Sequence, residues 1–124
     1  MISMNDIAVN SNSGGNFYLL LGDFLDEFYK SDNNCRLNMI VEPPEDICIP
    51  ELLPFLAAAA HKLANDCGME APGWTFEPRC YLPGDKPFFG CGAKGNLRLL
   101  FMYKSPPEFK HRNLFVDENV LVRV

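Results

Sequence analysis

No stretch of this sequence approaches the roughly 18 consecutive apolar residues of a membrane-crossing helix, so no membrane role is expected. The opening Met1-Ile2-Ser3-Met4-Asn5-Asp6 has neither a basic segment nor an apolar core. That argues against a secretory signal and for a cytoplasmic protein. Histidine is scarce: His61 and His111 are the two in the chain, and no spacing ties either to a particular Cys or Ser. His111 also sits between Lys110 and Arg112, which oppose its protonation. Without a nucleophile and base placed together, no catalytic residue is assigned and a non-enzymatic protein is favoured.

Cysteines are present but unpaired in sequence. Cys35, Cys48, Cys67, Cys80 and Cys91 are an odd number, and no two stand in the C-x2–4-C spacing that zinc sites use. A disulfide framework and a metal centre are both disfavoured, and no cofactor is expected. Basic charge is short as well. The chain has 11 Lys and Arg against 16 Asp and Glu, a net charge of −5, which makes nucleic acid an unlikely partner.

What is present makes one folded domain of 124 residues. It is 48% apolar, with ten Phe, four Tyr and one Trp. The charge is divided along the chain. Residues 1–78 carry 12 acidic and three basic side chains, whereas residues 79–124 carry four acidic and eight basic. Either the basic third neutralises the acidic part within the fold, or it forms a face for an acidic partner.

Residues 1–15 are rich in Asn, Ser and Gly and read as a flexible arm, leaving 16–124 as a single helical domain. After Asn16, a plausible cap, Phe17, Leu20, Leu21, Phe24, Leu25 and Phe28 share one helical face, with Asp23, Asp26, Glu27 and Lys30 opposite. Ser31 is suited to cap a second helix, from about residue 32 to 41, with Leu37, Ile40 and Val41 buried and Pro43-Pro44 as its stop. A third helix lies between Pro50 and Cys67 and ends at Gly68. Leu52, Leu56, Ala59 and Leu63 are its stripe, and its regular part is expected to start near Pro54. His61 falls opposite that stripe and should be exposed.

Residues 68–92 hold no helical or strand period but contain Trp74, Phe76, Tyr81, Phe88 and Phe89. They read as a long ordered loop rich in aromatics, Gly and Pro. It serves either as a lid on the core or as the wall of a ligand or peptide groove. Residues 96–104 are ambiguous: Leu97, Leu99, Phe101 and Tyr103 alternate as a strand would, but the stretch has no β-branched residue and is rich in Leu and Met, which favours a buried helix. Ser105-Pro106-Pro107-Glu108 has the form of a capping box opening a short helix to about Arg112. Asn113 would take a left-handed turn, Leu114, Phe115 and Val116 would return to the core, and Asp117 would cap a last turn carrying Val120 and Leu121. The fold class is therefore all-α: five or six short helices and the aromatic loop.

Gly90-Cys91-Gly92-Ala93-Lys94-Gly95 is literally G-x-G-x-x-G, but Lys86-Pro87-Phe88-Phe89 before it is no buried strand. A dinucleotide fold is not expected, though an anion at the following helix remains open. Lys104, Lys110, His111, Arg112 and Arg123 form either a solvated basic face or a contact surface.

The segment Ser105-Pro106-Pro107-Glu108-Phe109-Lys110-His111-Arg112-Asn113-Leu114-Phe115-Val116, followed by Asn119-Val120-Leu121 and Arg123, resembles a group of short bacterial proteins. In that group a Ser-Pro-x-x-Phe-basic-x-Arg stretch leads into an apolar tail. Asp23 to Tyr29 and the small-residue helix from Phe55 to Ala60 also fit. Some members sit beside nucleotidyltransferase-like proteins in toxin–antitoxin-like gene pairs, so the resemblance implies a partner-binding role and no catalytic residue. The expected function is an interaction or regulatory protein, antitoxin-like, with a protein partner. The alternative is a small-ligand or anion-binding protein using residues 68–95. The candidate binding residues are Trp74, Tyr81, Phe88, Phe89, Lys104, Lys110 and Arg112.

Overall fold

A computed structural model describes residues 2–122, apart from the side chain of Cys91. Arg123, expected in the basic cluster, lies outside the described residues. Among these residues the fold is all-α. The helices are α1 (Met4–Asn12), α2 (Phe17–Lys30), α3 (Asn33–Val41), α4 (Leu52–Asp66), α5 (Asn96–Lys104) and α6 (Pro107–Lys110). Two-residue strands β1 (Phe88–Phe89) and β2 (Leu114–Phe115) pair in parallel, Phe88 opposite Leu114 and Phe89 opposite Phe115.

The first fifteen residues do not form a loose arm. Ser3 and Asp6 make a reciprocal capping box: the Asp6 amide donates to Ser3 Oγ at 3.1 Å and the Ser3 amide to Asp6 Oδ2 at 2.9 Å. Met4, Ile7 and Ala8, spaced along one face, are buried in the common core. The asparagines that read as loop formers are latches. Asn12 donates to Glu45 and to the Asp46 carbonyl and accepts the Cys48 amide, while Asn5 accepts the Glu45 amide. A three-residue stripe diluted by polar neighbours is too weak a period to detect, and packing on α2 and α4 supplies the missing stability.

α2 spans the expected residues, and Asn16 Oδ1 caps it by accepting the amides of Tyr18 and Leu19. The cap of α3 is Asp32 rather than Ser31. Met39 and Ile40 are buried there, but Leu37 and Val41 are exposed, so two of the three expected core positions are corrected. α3 is only nine residues long, and its buried side is the one turned to α2 and to Trp74, whose indole Nε1 donates to the Ile40 carbonyl at 2.9 Å.

α4 is the central element. It starts at Leu52, two residues before Pro54, which stands in the first turn where an amide has no helical partner to lose. It has more than a stripe buried: Ala57, Ala58, Ala59 and Ala60 are all fully covered. Alanine lets neighbours approach closely. α1, α6 and the two 3₁₀ turns at Gly73–Phe76 and Pro78–Cys80 surround the helix. Gly68, with φ of 70°, ends it as expected.

α5 is a helix over the expected residues but is not a buried one. Phe101 is its one buried side chain, whereas Leu97, Leu99, Leu100, Met102 and Tyr103 are exposed. The capping box at Ser105 is also absent. α6 starts one residue later, with Pro106 at the cap position and no side-chain cap. Ser105 is buried. Its Oγ accepts the Val116 amide at 2.7 Å and lies within hydrogen-bond reach of the carbonyls of Phe101 and Val116. It thus ties the end of α5 to the residue after β2. Asn113 takes the left-handed turn with φ of 65°.

Candidate functional site

Two neighbouring features collect most of the candidate residues. The first is an apolar groove of about 700 Å³, lined by Tyr18, Phe55, Phe88, Phe89, Val116 and Val120, with Gly90, Gly92 and Asp117 at its edge. β1 holds Phe88 and Phe89 there because pairing with β2 fixes the backbone of an otherwise irregular segment. Phe89 stacks on Phe115 at 5.2 Å between ring centroids, and the Arg98 guanidinium covers Phe89 at 4.4 Å. Phe89 is therefore shared by the groove and by α5.

The second is the buried end of α6. Arg112 is 1% exposed, so it belongs to no solvated basic face. Its Nη2 donates to the Thr75 carbonyl at 2.8 Å, and its Nη1 donates to the Glu108 carbonyl at 2.9 Å and faces His61 Nδ1 at 3.1 Å. Tyr81 and Phe76 lie against the guanidinium at 5.0 and 5.7 Å, and Nε has no partner. Burial pulls the Arg112 pKa below its ordinary value, offset in part by Tyr81, Cys80 and Glu108. A guanidinium starts so high that it stays a cation.

Arginine only donates, so His61 Nδ1 accepts and the ring proton sits on Nε2. His61 is half-buried against Phe76 rather than exposed, because residues 73–76 fold over that side of α4. Burial first, then the Arg112 charge, holds its pKa below the usual 6.5. For Glu108, burial acts upward. The hydrogen bond from Asn65, its own backbone amide and the nearby His61 and Lys62 together outweigh it and hold the carboxyl below the usual 4.5. Both shifts have one sign for stability. The unfolded chain binds more protons, so stability is fully present above pH 6.5. It falls first through the His61 range and then through that of Glu108 as the solution is acidified. Urea midpoints measured from about pH 8 to about pH 4 should decline, with the His61→Gln variant flatter near about pH 6. A wild-type midpoint that rises on acidification would refute this.

The remaining candidates scatter. Trp74 is core, not groove wall, since its ring is buried and its Nε1 is bonded to Ile40. Tyr81 lies on Arg112. Lys110 Nζ donates to the Tyr103 carbonyl at 2.6 Å, and Lys104 Nζ lies 3.9 Å from Glu118 Oε1. Burial pushes the Cys80 thiol up, the reverse of what a nucleophile needs. Among the described residues no three His, Cys, Asp or Glu converge as metal ligands, and no helix is long and apolar enough to cross a membrane.

The feature missed in the sequence is the outer face of α5. Leu99 is 65% exposed and Tyr103 80%. Its signal was the dense run of Leu, Met and aromatic residues, which reads as burial until the helix is seen in place. No known protein family, no curated protein and no solved structure matches this chain.

Proposed function

We propose that this chain is a non-enzymatic interaction or regulatory protein, of the antitoxin-like kind that the C-terminal resemblance implies, and that α5 is where its protein partner docks. The observation that carries this reading is the solvent-facing apolar surface of α5, formed by Leu99, Leu100, Met102 and Tyr103. An apolar helix face without a cover is the usual mark of a partner surface. The basic side chains of the C-terminal third support the same reading. Among the described residues, Lys86, Lys94, Arg98 and Lys110 form no ion pair, so internal neutralisation leaves much of the basic third unused.

The groove offers a small ligand apolar walls but little to orient it. Among the described residues Asp117 is its one charged lining group, and Asp117 Oδ1 already accepts the Asn119 amide. Binding sites for small molecules ordinarily converge several polar groups, which favours the protein-docking reading.

The test compares immobilised wild-type chain with the doubly substituted Leu99→Glu, Tyr103→Glu chain in an extract of the source cells. Quantitative mass spectrometry should find one or a few proteins enriched at least about tenfold on the wild type, roughly 1.4 kcal/mol. Both substitutions are on exposed positions, and an unchanged circular dichroism spectrum checks that the fold is kept. Identical captures by the two chains would overturn the assignment to α5.

A further inference from the structure

The charge around the α5 face deepens that reading by defining the partner's chemistry. At 100° per residue, Met102, Leu99, Tyr103 and Leu100 cover an arc of about 160°, interrupted by Asn96 at the N-terminal end. The next position on one side is Arg98 and on the other Lys104. Phe101 points away, into the core. The helix is nine residues, about 14 Å or roughly two and a half turns long, and its apolar stripe from Leu99 to Tyr103 has a cation along each border.

Of the two border cations, Arg98 meets no carboxylate among the described residues and Lys104 meets one loosely. Arg98 Nε donates to the Ala93 carbonyl at 2.9 Å while its guanidinium lies over Phe89, so its position is fixed without a carboxylate. Lys104 has one distant, exposed contact with Glu118. Lys94 extends the basic border beyond the N-terminal end.

From this arrangement we propose that α5 docks an acidic amphipathic helix of another protein, one whose apolar stripe is bordered by Glu or Asp on both sides. This is the pairing logic of helices in which apolar seams meet and flanking charges select the partner. A second copy of this chain is a poor occupant: both borders are basic, so α5 laid on α5 in either direction puts cation against cation. An anionic membrane surface is disfavoured by the chain's net charge of −5.

The inference rests on α5 being the docking face, and its test separates the two. Full-length protein is titrated against two labelled synthetic peptides, each an amphipathic helix with a leucine stripe, one bordered by Glu and one by Lys, with fluorescence anisotropy as readout. The Glu-bordered peptide is expected to bind at least about tenfold more tightly, with the preference weakening as salt is raised. Leu99→Glu should abolish binding, and Arg98→Glu with Lys104→Glu should reverse the preference.

Equal affinity for the two peptides, or a preference for Lys, overturns the acidic partner. So does a dimer that Leu99→Glu dissolves, seen by sedimentation, which makes a second copy the occupant. Binding to phosphatidylglycerol vesicles in place of either peptide overturns it in favour of a membrane surface. If no peptide, vesicle or second copy binds while the Leu99→Glu, Tyr103→Glu chain still loses a protein from the extract capture, the acidic-helix inference falls alone. If that chain loses nothing either, the docking reading falls with it.

Discussion

Replacing Arg112 with alanine is expected to lower the unfolding free energy by about 3–5 kcal/mol, a large part of the about 5–15 kcal/mol that a domain of this kind has. Arg112 is the largest fully buried side chain among the described residues, and its guanidinium joins three elements. It reaches Thr75 in the 3₁₀ turn, Glu108 on α6 and His61 on α4. Truncation leaves the buried Thr75 carbonyl and the partly buried Glu108 carbonyl without this donor and opens a void between Tyr81 and Phe76.

Arg112→Met separates these contributions. It refills most of the volume but supplies no donor, so its cost should fall between wild type and alanine. It also removes the cation beside His61, so the imidazole pKa should move upward in an NMR titration. Arg112→Lys is not a conservative change here, because one ammonium cannot span acceptors that the planar fork meets from two of its nitrogens. Urea denaturation of the three variants reads the order directly. A cost below about 1 kcal/mol for Arg112→Ala would show that the network is incidental.

Phe55→Ala is expected to cost about 3 kcal/mol or somewhat more. Phe55 is 2% exposed and stands edge-on to four rings: Phe109 at 5.2 Å, Phe17 at 5.6 Å, Tyr18 at 6.1 Å and Phe88 at 6.3 Å. It links α2, α4, α6 and β1, so its loss removes both buried area and several aromatic contacts. Because Phe55 also lines the groove, the void left behind opens toward solvent and water enters it. Phe28→Ala, whose ring is fully buried on α2 away from that groove, leaves a sealed void and should cost more, nearer 5 kcal/mol. Urea unfolding of the two variants side by side tests this. A smaller loss for Phe28→Ala than for Phe55→Ala would show that the groove wall, not the α2 face, is the tighter packing.

α2 was fully readable because a cap, six apolar residues on one face and four charged residues opposite all agree. α1 was not. Its apolar stripe is three residues, its box closes with Asp rather than Glu, and its asparagines bond to residues more than 30 positions away. Ser105 misled in the opposite direction. Ser-Pro-Pro-Glu has the composition of a capped start, yet the hydroxyl is drawn into the core by the Val116 amide and Glu108 is claimed by Asn65 on α4. Short polar motifs specify whichever partner is nearest, and that partner is a long-range fact.

The site divides in the same way. Phe88 and Phe89 were identifiable as wall residues because aromatics in an irregular segment must cover something. Trp74 satisfied the same criterion and is core. Arg112 looked like its neighbours Lys110 and His111, but its position in the turn two residues past α6 aims it inward beneath the 3₁₀ turns.

Local sequence suffices for the all-α class, the positions of α2 and α4, the left-handed turn at Asn113 and the uneven division of charge. Each of these depends on local periodicity, backbone sterics or composition, which neighbours in sequence decide. Only the tertiary structure decided that α1 joins the core, that Arg112 is buried while Lys104 is not, and that the apolar α5 stands with one side uncovered. Those outcomes depend on which surfaces find a neighbour in space, and a helix carries no internal record of whether its apolar side has been met.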